Sequence, residues 1–243
     1  AIGLNDLLQS SGSLLDQATS QPSTGDVKSG GAAASLSESQ IESGLKQALS
    51  VGAERAVEVL GSSGGFLNDS SVRIPLPGVL DTAAKSLRAI GQGQYVDEFE
   101  TSVNRAAEQA IPQTLDIVQE TVNGMSLEDV RGILEGGDDA ATRFLRERAG
   151  DSLAQAIRPI VSEATAQSGA TAAYKALATQ AGGMTGSLGS FGGLVKSESL
   201  DLDSYVTEKT LDGLFLKLAA EEKAIRENPV ARSTDLLKSV FGS

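Results

Sequence analysis

The sequence predicts an all-α protein: one irregular array of about eight to ten helices over residues 38–243, behind a flexible leader. Three observations lead there. Aromatic residues make up 4% of the 243 and Trp is absent, so the core must be built from Leu, Val, Ile and Ala, which suits helices better than sheets. Apolar residues recur every three or four positions through most of the chain after Ser37. These stretches are opened by Ser or Asp and closed by Gly, the chemistry of helix ends.

Residues 1–37 stand apart. Leu4, Leu7, Leu8, Leu14 and Leu15 have the spacing of a short amphipathic helix, and a Ser/Gly-rich linker follows. The segment reads either as a disordered leader or as a peptide that docks on this protein or a partner. Ser37 and Gln40 then form a capping-box pair ahead of Ile41, Leu45, Ala48, Leu49, Ala56 and Leu60, a helix that Gly61 should stop. In the stretch VRIPLP, Val72, Ile74 and Leu76 alternate with Arg73, Pro75 and Pro77. Two prolines one residue apart forbid a helix, so this is a packed extended strap.

Helices should resume at about 78–90, ending at Gly91, and at about 94–110, with Pro112 as the first residue of the next. Ser126 and Asp129 cap a helix carrying Leu127, Val130, Ile133 and Leu134. Asp138 caps another that runs to Gly150, and Asp151 a further one, interrupted at Pro159. Residues 181–193 hold six glycines and read as a loop. After Asp203, the residues Tyr205, Leu211, Leu214, Phe215, Leu218 and Ile225 share one helical face, so this helix should be the hub of the core. Asn228-Pro229 should open a last helix with Leu236, Leu237, Val240 and Phe241.

The chain has no His and no Cys. This excludes Ser-His-Asp and Cys-His nucleophiles, imidazole bases, zinc knuckles, iron–sulfur clusters and disulfides. Its 20 Lys+Arg against 32 Asp+Glu leave a formal charge of −12, which disfavours nucleic acid and anionic lipid as partners. The apolar runs fall well short of the roughly 18 residues a membrane span needs. A first residue Ala1 fits a mature exported chain whose signal peptide was cut after a small residue. No cofactor motif is present. Gly61-Ser62-Ser63-Gly64-Gly65 imitates a nucleophile elbow without strand or base, and Ser43 with Lys46 imitates S-x-x-K without its companion motifs.

Two sets of polar residues remain as site candidates. Asn104, Arg105 and Glu108 share about one helical turn, and Thr142, Arg143 and Arg146 share another, each on a helix with an apolar face; Glu221 is their possible partner. They fit a sealed hydrogen-bond network, or a pocket in which arginines clamp a carboxylate or phosphate. The second set is carboxylate only: Asp138, Asp139, Asp201 and Asp203, which could serve Ca, Mg or Mn but are also placed to cap helices. Glu222 and Arg226, four residues apart, read as a surface pair.

The blocks GFLNDSSVRIPLPG, NRAAEQAIP, MSLEDVRGILEGGDDAATRFLR, RPIVSEA and LDSYVTEKTLDGLFLKLAAEEKAIRENP, followed by LLKSVFG, resemble in order the bacterial family catalogued as domain of unknown function 4197, over roughly residues 38–243. The resemblance implies a helical fold and, since members are exported proteins of Gram-negative-type bacteria, a periplasmic or secreted address. It implies no activity. The reading that follows is a non-enzymatic envelope protein that binds a partner protein or a small apolar or anionic ligand. The alternatives are a metal-binding module or metal-assisted hydrolase, and an assembly or filament subunit that self-associates through its leader.

Overall fold

The computed structural model describes residues 38–184 and 201–227. The expected leader, the glycine-rich stretch beyond Met184 and the expected helix after Asn228 lie outside the described residues. Among the described residues the structure is mostly helical, with no strand. The helices are α1 (Glu38–Gly61), α2 (Asp81–Ala89), α3 (Gln94–Ala110), α4 (Thr114–Asn123), α5 (Leu127–Glu135), α6 (Ala140–Gln167), α7 (Ala170–Met184) and α8 (Leu202–Glu227), with 3-10 turns at Gly78–Leu80 and Ile111–Gln113.

Local signals were accurate where they act locally. α1 buries Leu45, Ala48, Leu49, Ala53, Ala56, Val57 and Leu60 along one stripe. It ends at Gly61, which abuts Pro112 and Ile111 so closely that a Cβ would sit 3.2 Å from the proline ring. α5 opens on the expected capping box: Ser126 Oγ accepts from the Asp129 amide (3.1 Å), and the Asp129 carboxylate accepts from the Ser126 amide (2.9 Å). Gly91 follows α2 at φ +81°, where only glycine is unstrained. Pro112 falls in the 3-10 turn between α3 and α4, and α4 itself begins at Thr114.

The expected segmentation is too fine between 138 and 167. No helix starts at Asp151: α6 runs unbroken through Gly150 and Pro159. Leu145, Ala149, Leu153, Ile157, Val161 and Ala164 form one continuous buried stripe. Packing of that stripe against α3, α4 and α8 outweighs the helix penalties of about 1 kcal/mol for glycine and about 3 kcal/mol for proline. The helical path also extends further than expected at α7, which includes residues 181–184. α6 and α7 are joined through Gly169 at φ +81°.

The hub is shared. α8 packs on α6, α1 and α3, as its buried Leu214, Phe215, Leu218 and Ile225 require. α6 contacts α8, α3, α4, α5 and α7, so it is as central as the helix the sequence singled out. Val206, off the expected α8 face, is fully buried, whereas Leu216 is 48% exposed.

The strap between α1 and α2 lies on α3 and α8. Phe66, Val72, Ile74 and Leu76 are buried while Arg73 and Pro75 face out. Phe66 fits against Gly213 of α8, where a Cβ would come within 2.7 Å of its ring. Tyr205 donates from its hydroxyl to the Pro75 carbonyl (2.7 Å), and burial pushes that hydroxyl up to about 12, so it stays a donor. At the other end Lys217 pairs with Asp69. The Lys217 hydrogen bond, supported by two from Ser71, lowers the Asp69 carboxyl from 3.8 to about 2. A depressed folded value stabilises the native state above the unfolded value, and that contribution fades as pH drops through the window from 3.8 to about 2. Urea midpoints of the native chain and Asp69→Asn should therefore differ most above pH 4 and converge near pH 2. A gap that widens on acidification would contradict the pairing.

Candidate functional site

The polar residues singled out by sequence go to separate places. Asn104 faces the strap and pairs with both backbone groups of Ile74: its Oδ1 accepts from the Ile74 amide (2.8 Å), and its Nδ2 donates to the Ile74 carbonyl (2.9 Å) and to Glu100 O (2.7 Å). One turn on, Glu108 Oε1 accepts from the amides of Phe66 (3.2 Å) and Leu67 (3.1 Å). Its Oε2 accepts from Arg105 (2.9 Å), which also donates to Ser63 Oγ (2.8 Å). These three side chains therefore act as a clasp for a segment without secondary-structure partners of its own.

Thr142 belongs to a second node, whose centre is Glu222. This carboxylate is 5% exposed and accepts from the Ala141 amide (2.8 Å), the Thr142 amide (2.9 Å) and the Thr142 hydroxyl (2.8 Å). Arg226 donates to it (2.9 Å) and to Ile133 O (2.9 Å). The expected surface pair is thus buried, with Arg226 14% exposed. Asp138 is not the cap of α6: the N-cap residue is Asp139, whose side chain makes no capping bond. Glu222 supplies that function from another helix, and its charge suits the positive end of the α6 dipole.

Asp139 instead pairs with exposed Arg143 (3.1 Å). Glu221 faces Arg55 at 3.8 Å beside a hollow of about 10 Å³, room for at most one water. Asp201 precedes α8 and accepts from the Ser204 amide (3.1 Å) and hydroxyl (2.8 Å); these bonds, with the nearby Arg158 guanidinium, hold its carboxyl below the usual range. Asp203 accepts from Thr165 (3.1 Å). Among the described residues no group of three or more His, Cys, Asp or Glu is placed to hold a metal.

Of the predicted set, Arg146 lines a sizeable cavity. Thr142 meets Glu222, Arg146 meets Asp212 (2.8 Å) and Arg158 meets Asp201, so α6 and α8 run antiparallel. Between them is a groove of about 420 Å³, within the size range of small-molecule sites. Ala154, Leu211 and Phe215 supply its apolar surface, and Gly150 widens it, since a Cβ there would meet nothing within 4 Å. Asp151 and Gln155 stand on the α6 wall, Ser204 and Glu208 on the α8 wall. The Arg146 guanidinium stacks 4.8 Å above the Phe215 ring.

Thr207 also lines this groove. It is 5% exposed, and its Oγ1 is a buried side-chain oxygen with no hydrogen-bond partner among the described residues. Thr210, one turn of spacing away, shows the usual solution by donating to the Val206 carbonyl (2.6 Å). A buried hydroxyl left unmatched costs about 1–3 kcal/mol. No sequence signal marks Thr207, because the same residue type in the same helix is satisfied three positions on.

A helical array with a groove between two antiparallel helices, without imidazole, thiol or clustered metal ligands among the described residues, is the class of protein this structure defines. The chain belongs to the family described as Protein of unknown function (DUF4197), which matches residues 35–242. No curated protein and no solved structure matches it. No helix among the described residues is long and apolar enough to cross a membrane.

Proposed function

We propose that this chain is a non-enzymatic binding protein of the bacterial cell envelope, and that it holds a small amphiphilic molecule in the groove between α6 and α8. The observation that carries the reading is the unpaired Thr207 hydroxyl on a 420 Å³ cavity with an apolar surface. Unmatched buried polar atoms are rare, and a ligand that supplies the missing partner is a physical reason to keep one. The envelope address is supported by the likeness of the quoted blocks to exported family members.

Native mass spectrometry of the chain purified from its own bacterial host should show a retained small molecule, lost on unfolding. Repeatedly bare monomer would count against the proposal. Thr207→Val gives a second check with opposite signs in two readouts. Deleting the unmatched hydroxyl at constant shape should raise the unfolding free energy by about 1 kcal/mol, while reducing the fraction of chain that carries the ligand. Lower stability with unchanged retention would place the hydroxyl in a structural role.

A further inference from the structure

We infer that the molecule in the α6–α8 groove is a cation: an amine with an apolar body. This rests on the groove reading above and assigns the charge of its ligand. The groove's two arginines are both engaged in ion pairs. Arg146 is paired with Asp212 at 2.8 Å and Arg158 with Asp201, one pair toward each end of the groove. What remains uncompensated is acidic. Asp151 from α6 and Glu208 from α8 are exposed, line the groove from opposite walls and make no ion pair with any described residue.

The interior between those carboxylates matches the rest of such a ligand. Ala154, Leu211 and Phe215 offer apolar contact, and the lining positions on α6 from Arg146 to Arg158 span about 18 Å at 1.5 Å per residue. Thr207, with its unmatched hydroxyl, and Glu208 both line the groove from α8. An ammonium group carries N–H donors and no acceptor; the two unpaired carboxylates on the groove walls are the acceptors it needs. The chain's charge of −12 raises the local concentration of such a cation and lowers that of an anion.

Calorimetric titration of the full chain at neutral pH and low salt, with n-octylamine, n-octanol and n-octanoate, separates head-group charge from chain burial. Octylamine should bind about tenfold or more tightly than octanol, the effect of one charge-assisted contact, and octanoate more weakly than octanol. The double variant Asp151→Asn, Glu208→Gln should bring octylamine to within about twofold of octanol, since charge-neutral isosteres remove the attraction and keep the shape. Octanoate binding as well as octylamine, or an amine preference that survives the double variant, overturns the assignment of charge while leaving the groove as the binding site. Gly150→Leu fills the cavity from a position with space for a side chain and should abolish binding of all three. No binding of any probe to the native chain, or affinities unchanged by Gly150→Leu, defeats the groove reading itself.

Discussion

Glu222→Ala is expected to lower the unfolding free energy by about 3–5 kcal/mol, the loss typical of breaking a buried ion pair from one side. The carboxylate serves four donors: the Ala141 and Thr142 amides, the Thr142 hydroxyl and Arg226. With alanine in place, the first turn of α6 loses its acceptors, and Arg226 loses the carboxylate it now bonds. Glu222→Gln tests the charge at nearly constant shape. An amide has one oxygen, so it cannot accept on both sides of the node, and a loss of about 2 kcal/mol is expected. Urea unfolding at pH 7 measures both. A loss below about 1 kcal/mol for the alanine variant would be the signature of a solvated surface pair and would contradict the buried node.

Asn104→Ala should cost about 2–6 kcal/mol, because it strands both the amide and the carbonyl of Ile74, two buried groups at roughly 1–3 kcal/mol each. The strap has no ladder or helix to fall back on. Hydrogen exchange locates the damage: the Ile74 amide should lose protection by local opening, while the amides of α6 follow global unfolding only. Asn104→Asp preserves size but turns an acceptor toward the Ile74 carbonyl in place of the donor now at 2.9 Å, and should weaken the strap as much as alanine does. Unchanged Ile74 protection in both variants would show that Pro75, Leu76 and their neighbours hold the strap by packing alone.

The contrast between these nodes and what could be read from residues alone is one of sequence distance. The Ser126–Asp129 box, the Gly61 stop and the two-proline strap were legible because cause and effect lie within a few positions. Glu222 was misread for the same reason: Arg226 is four residues away, whereas its other partners are 80 and 81 residues distant. The spacing of Asn104, Arg105 and Glu108 beside an apolar face did mark a polar network, but their targets lie up to 42 residues back in the strap. Gly150 and Asp151 carried valid local stop and start signals that long-range burial of Leu145, Leu153 and Ile157 overrode. What looked like punctuation at Gly150 is space for a groove. Thr207 has no local mark of any kind, since only the fold determines whether its hydroxyl finds a carbonyl.

The remote cap on α6 also sets an order of events in the cell. Residues 140–142 leave the ribosome some 80 residues before Glu222 does, an interval of roughly 4–16 s at ordinary translation rates of about 5–20 residues per second. For that time the α6 segment lacks the acceptor for its first turn and lacks α8, which covers its apolar stripe in the folded chain. Completion of the core waits for the last quarter of the polypeptide, so a prematurely terminated product is a client for chaperones and proteases, never a smaller working version.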